Sequence, residues 1–184
     1  MKKFSISVLG QDRPGIIAAV TQVLFEQGFN IEDVSQTILQ GEFSSIFIVA
    51  GPEKSDPQAL VAILNKTTSA LNMQFHVREL EGNPPKWTQS ACQSFVITTF
   101  GPDQKGLVAQ VTRVLADFNV NVTQLQAAFR GGDAPGSNYM IYEVDIPNDI
   151  DQQKLRDTLK GKCRQLNLDV SIQHKNIFEA VNRV

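Results

Sequence analysis

The chain has 184 residues, a formal net charge of −2 and a pI near 5.7, a balance that excludes the basic footprint typical of a nucleic-acid-binding domain. Its 42% hydrophobic and 20% charged residues are those of a globular rather than a disordered chain. The two cysteines, Cys92 and Cys163, sit in no pairing motif and read as free thiols; no apolar run reaches membrane-span length, and Met1-Lys2-Lys3 leads into a strand without a signal-peptide core, so a cytoplasmic location is expected.

Phe4 to Leu9 reads as a strand and Gly15 to Gln27 as a helix, with Ile16, Val20, Val23 and Leu24 on one stripe. Between them lies Gly10-Gln11-Asp12-Arg13-Pro14-Gly15. Glycine there admits backbone angles closed to other residues, or lets another group come close. Asp12 stands where an N-cap is expected, and Pro14 suits a first helical turn. Gly28 ends the helix as a C′ glycine does. Phe29 to Gln40 reads as extended but only loosely alternating, Gly41-Glu42 as a tight hairpin, and Phe43 to Ala50 as the return strand. Ile46 to Ala50 is apolar on both faces, which predicts cover on both sides. A second helix opens at Ser55-Asp56-Pro57 with Leu60, Ile63, Leu64 and Leu71 apolar, and Met73 to Leu80 is a last strand. The order β-α-β-β-α-β is the split βαβ, or ferredoxin-like, unit.

Residues 82–93 contain Asn83-Pro84-Pro85, lack periodicity and read as a linker between a first domain at 1–81 and a second at 94–184. Trp87, the single tryptophan, falls within it.

The second half repeats the first. Sliding the chain by 91 positions sets Phe4 on Phe95, Gly10 on Gly101, Asp12 on Asp103, Gly15 on Gly106, Val20 on Val111 and Asn30 on Asn121. The turn becomes Gly101-Pro102-Asp103-Gln104-Lys105-Gly106, followed by a helical stripe at Leu107, Val111, Val114, Leu115 and Phe118. Strands follow at Asn121 to Phe129 and Asn138 to Ile146, joined by a long glycine-rich tip, Arg130 to Ser137, expected to be mobile. A helix with Leu155, Leu159, Cys163 and Leu166, a strand from Leu168 to His174 and a short helical tail with Ile177, Phe178 and Val181 complete the chain. A period this long marks a duplicated domain, not a solenoid repeat.

The motifs of catalysis are missing. Both turns have G-x-x-x-x-G spacing but continue Ile-Ile and Leu-Val, without the lysine and hydroxyl of a phosphate loop. No G-x-G-x-x-G, G-x-S-x-G, H-E-x-x-H or C-x-x-C occurs, and His76 and His174 read as structural or surface residues. No cofactor is implied, and a non-enzymatic role is expected. Arg156, Lys160 and Arg164 form a basic stripe, read as a solvated helix face.

The duplicated unit, with Asp12-Arg13-Pro14-Gly15-Ile16 at its first turn and Gly28-Phe29-Asn30-Ile31 downstream, resembles the ACT domain. Two such units with little else are similar to the glycine cleavage system transcriptional repressor family. That resemblance implies two ferredoxin-like domains, each a four-stranded antiparallel sheet with two helices on one face; the duplication and the two-sided apolar strand Ile46 to Ala50 predict that they pack as a pseudo-dimer. It implies sites for a small amino acid, glycine among the candidates, at Asp12, Arg13, Pro14, Gly15 and Ile16 and at Asp103, Gly106 and Leu107. Asn30 and Asn121, opening the facing strands, are further candidates. The second copy keeps the aspartate and glycine but lacks Arg-Pro. The physical logic is that turn N–H groups can hold a carboxylate while Asp12 or Asp103 meets an ammonium. The alternative is that both aspartates simply cap helices. The resemblance also implies action on transcription through a DNA-binding protein partner, without direct contact to nucleic acid or membrane, and leaves homo-oligomer formation open. The competing function is a regulatory subunit giving feedback control of a metabolic enzyme.

Overall fold

A computed structural model of the chain describes residues 1–80, 91–129 and 138–182, with backbone alone at 129 and 179–182. The linker residues 81–90 with Trp87, the tip 130–137, the Val181 side chain and residues 183–184 lie outside the described residues. The chain divides into two compact units, Met1–Pro84 and Pro85–Val184.

The first unit runs β1 (Lys2–Gln11), α1 (Ile16–Glu26), β2 (Asn30–Leu39), β3 (Glu42–Gly51), α2 (Pro57–Thr67), a 3-10 turn at Ser69–Leu71, and β4 (Gln74–Leu80). The strand order is β2-β3-β1-β4, and every pairing is antiparallel. The second unit runs β5 (Cys92–Gly101), α3 (Leu107–Asp117), β6 (Asn121–Phe129), β7 (Asn138–Pro147), α4 (Gln152–Gln165), β8 (Asp169–His174) and α5 (Lys175–Asn182), with the same order, β6-β7-β5-β8. These are two tandem ferredoxin-like units, as the β-α-β-β-α-β pattern predicts. The strand-to-helix turn follows the central strand β1 or β5, so each candidate turn leaves from the middle of its sheet.

Strand alternation explains the cores. Phe4, Ile6 and Val8 of β1 and Phe43, Phe47 and Val49 of β3 are buried with Ile16, Val20, Val23, Leu24, Leu60 and Leu64 of the helices. Phe95, Ile97, Met140, Tyr142 and Val144 play the same part with Leu107, Val111, Leu115, Leu155, Leu159 and Cys163. Each large side chain fully buried in this way contributes about 1.5–3 kcal/mol. The two-sided apolar run in β3 is covered only in part. Phe47 and Val49 are buried against the helices, whereas Ile46, facing the other way, is 49% exposed.

Both copies carry a β-bulge at the same place. Pairing of β2 with β3 shifts between Ile31 and Asp33, and pairing of β6 with β7 shifts between Val122 and Gln124. The extra residues, Glu32 and Thr123, sit just after Asn30 and Asn121. The loose alternation of the first segment is this bulge, which inserts one residue into a period of two.

Candidate functional site

The glycines of each turn do two different jobs. Gly15 and Gly106 have φ of 96° and 84°, in the left-handed region, and each is the N-cap of the helix that follows. A Cβ built on Gly15 meets nothing within 4 Å, so the backbone angle, not close approach, calls for glycine there. Gly10 and Gly101 are the close-approach positions. A Cβ on Gly10 would stand 2.7 Å from the Met73 sulfur, and one on Gly101 would stand 2.6 Å from the Asn167 carbonyl oxygen.

This geometry corrects the capping expectation. Because a left-handed glycine precedes the helix, the N-cap falls at Gly15 and Gly106, and no side chain caps either first turn. Asp12 and Asp103 are not caps, and Pro14 lies before the helix instead of in its first turn. Two of the other helices, α2 and α4, are capped by aspartate. Asp56 accepts from the Ala59 N–H at 2.8 Å and Asp151 from the Lys154 N–H at 2.9 Å. The N-termini of α1 and α3 therefore keep their outward N–H groups open beside exposed carboxylates, a donor array next to an anion.

The remaining turn residues split between anchors and surface. Ile16 and Leu107 are each 2% exposed, so their side chains hold the helix to the core and only their backbone N–H groups are available to a ligand. The Asp12 N–H donates to the Gly41 carbonyl at 2.8 Å, tying the first turn to the β2–β3 hairpin. Arg13 is exposed and reaches the Ala70 carbonyl only at 3.4 Å. In the second copy Gln104 replaces Arg13, and its Nε2 donates to the Leu166 carbonyl at 2.6 Å, securing the turn to the end of α4. An open depression of about 750 Å³ lies over Asp103 to Ala109.

Asn30 and Asn121 are not gathered with the turn of their own unit. Asn30 pairs with Ala50, whose other partner is Lys3, whereas the turn leaves β1 beside Gly10, paired with Phe43. Seven residues of strand separate the two ends, roughly 20 Å. Asn121 stands at the same remove from Gly101, and with Cys92, Asn119 and Asp145 it lines a separate cavity of about 340 Å³. No single unit presents its turn and its asparagine to one small ligand.

His76 is exposed on β4, and His174 packs edge-on against Phe95 with ring centroids 5.2 Å apart. The basic stripe on α4 is also broken up, since Arg156 lies over the Phe95 ring, 5.3 Å from its centroid. Two buried polar residues escaped sequence reasoning altogether. Thr99 and Asn138 read only as residues of the strands Phe95 to Phe100 and Asn138 to Ile146, and their burial comes from the register of β5 and β7.

The sequence profile of the ACT domain matches residues 3–78 and 93–173. The chain belongs to the ACT domain family, whose members are regulatory modules. A UPF0237 protein of Methanopyrus kandleri is 34% identical over 91 residues, covering 48% of this chain and 96% of that protein. A solved structure of a protein of unknown function from Galdieria sulphuraria superposes with a TM-score of 0.77 at 22% identity, covering 94% of this chain and 98% of the other. That of a protein provisionally described as a glycine cleavage system transcriptional repressor does so with a TM-score of 0.69 at 17% identity, covering 94% and 96%. At these identities the two structures speak for the fold alone. Among the described residues, no helix is long and apolar enough to cross a membrane.

Proposed function

We propose that this protein is a non-enzymatic sensor of a small amino acid, glycine among the candidates. It modulates transcription through a DNA-binding protein partner, as a repressor of glycine cleavage genes would. The observation that carries this reading is the pair of uncapped helix starts at Gly15 and Gly106 beside the exposed Asp12 and Asp103. Open N–H groups suit a carboxylate and an acidic side chain suits an ammonium, and an α-amino acid offers both. The transcriptional part is drawn by analogy from the protein provisionally described as a glycine cleavage repressor, which shares the fold. The net charge of −2 and the engagement of Arg156 with Phe95 speak against direct DNA contact, which needs a continuous basic face.

The test is a thermal-shift screen of the twenty standard amino acids, followed by a mobility-shift assay with the responding one. A ligand specific for the folded state stabilises by about 2.7 kcal/mol at 100 times its Kd. The expected result is a response to one or a few small amino acids and no sequence-specific DNA retardation by the protein alone at physiological salt. A flat screen overturns the sensor. Retardation by the protein alone overturns the partner-mediated output. Co-purification with a biosynthetic enzyme instead of a DNA-binding protein redirects the function to feedback control of that enzyme.

A further inference from the structure

The second copy departs from the first at the end of the core nearest the turn. In the first copy that end is closed by Val8 and Phe43, 0% and 3% exposed. Gly10 pairs with Phe43 and Gly101 pairs with Asn138, so register makes Asn138 the counterpart of Phe43; the 91-residue repeat likewise sets Thr99 on Val8. Thr99 and Asn138 are 0% and 1% exposed. Neither the Thr99 hydroxyl nor the Nδ2 or Oδ1 of Asn138 has a hydrogen-bond partner. Buried polar atoms are almost always paired, so three unpaired atoms at one place call for a missing group.

Their position says what kind of group. Asn138 alternates with Met140 and Tyr142 on the face of β7 that packs with Leu107, the first residue of α3. The partner strand leaves for the turn at Gly101, directly opposite Asn138. Asn138 thus stands on the helix-facing side of the sheet, at the end where β5 leaves for the turn into the uncapped start of α3. Nδ2 supplies donors, Oδ1 an acceptor and Thr99 a hydroxyl that serves as either.

We propose that Thr99 and Asn138 form the inner wall of an amino-acid site in the second copy, which presupposes the sensor function proposed above. The ligand carboxylate accepts from Asn138 Nδ2, the Thr99 hydroxyl and the open N–H groups of α3. The ammonium donates to Asn138 Oδ1 and Asp103. The first copy, closed by Val8 and Phe43, lacks this wall, so the second copy is the tighter site.

The experiment uses the full chain, the amino acid that gives the largest wild-type thermal shift, and titration calorimetry on Thr99→Val, Asn138→Leu and Thr99→Ser. Thr99→Val is close in shape to the native residue and preserves folding. Removing unpaired polar atoms should raise the ligand-free Tm of Thr99→Val and Asn138→Leu by roughly 4 °C or more. The same variants should bind the amino acid at least about tenfold more weakly, while Thr99→Ser, which keeps the hydroxyl, should lose less affinity than Thr99→Val. Unchanged affinity in Thr99→Val and Asn138→Leu overturns the inner wall and leaves the sensor standing, because the wild type still responds. A fall in Tm with unchanged affinity shows instead that an ordered water had satisfied these atoms, which also overturns it. A wild type that responds to no amino acid defeats the sensor itself.

Discussion

Register sets Val8, Phe43 and Phe47 of the first copy against Thr99, Asn138 and Tyr142 of the second. Four residues beyond Leu64 and Leu159, the helix ends carry Thr68 in one and Cys163 in the other, both buried. The backbones agree in strand order, bulge position and left-handed turn glycine. The side chains that fill the space between sheet and helices do not. The duplication has kept what the fold requires of the backbone, while the second core has taken on polar atoms that a purely structural role does not ask for. Shared features can therefore be assigned to the fold, and differences are where function should be sought.

The strongest way to break that comparison is at the anchors. Ile16 and Leu107 occupy equivalent positions and are equally buried. If the copies are structurally equivalent, Ile16→Ala and Leu107→Ala should each cost about 2–5 kcal/mol, the usual range for truncating a buried aliphatic side chain. Denaturant midpoints at constant m measure it. A loss confined to one copy would mean that the two turns are not held in the same way.

The next effect sharpens the difference between the cores. Burial pushes the Cys163 thiol up from 9.0 to about 11, and burial, with the neighbouring Cys163, pushes the Tyr142 hydroxyl up from 10.0 to about 12. In the unfolded chain both groups ionise earlier. Their contribution is intact below about pH 9 and is lost as the pH rises from there toward 12. At about 1.4 kcal/mol per pH unit of displacement, the loss is bounded at about 3 kcal/mol per group. Tyr142→Phe places at this position the residue type that the first copy has at Phe47. It should hold its denaturant midpoint to higher pH than the wild type does. Parallel declines would show that the second core is not the alkaline weak point.

Much of the fold was legible in the sequence because it depends on periodicity and glycine. The 91-residue repeat, the order of strands and helices along each unit and the two turns all follow from such signals. Details that depend on register were not. The bulge at Glu32 weakened the alternation without declaring itself. The burial of Thr99 and Asn138 could not be read from residue types that usually face water. Asn30 and Asp12 are close in sequence logic but stand at opposite ends of one sheet, a separation fixed by the pairing of β1, β3 and β2. Asp12 looked like a cap because the left-handed glycine that moves the helix start to Ile16 lies three residues further on.

The smallest expected effect concerns the four aspartates near helix starts. Asp56 and Asp151 cap α2 and α4 through hydrogen bonds to Ala59 and Lys154, so Asp56→Ala and Asp151→Ala should each cost about 1 kcal/mol. Asp12 and Asp103 make no such bond and are exposed, so Asp12→Ala and Asp103→Ala should stay within about 0.5 kcal/mol of wild type. An aspartate held next to open N–H groups, without capping them, contributes little to the folded state on its own. Its value should appear when a ligand brings an ammonium to it. Calorimetry and thermal shift on the same four variants separate the two roles. The caps should lower stability and leave the amino-acid response intact, and the turn aspartates should do the reverse. A full response from Asp103→Ala would remove the ammonium contact from the second turn. A stability loss near 1 kcal/mol in Asp12→Ala would return that residue to a structural role, whatever the geometry of its helix.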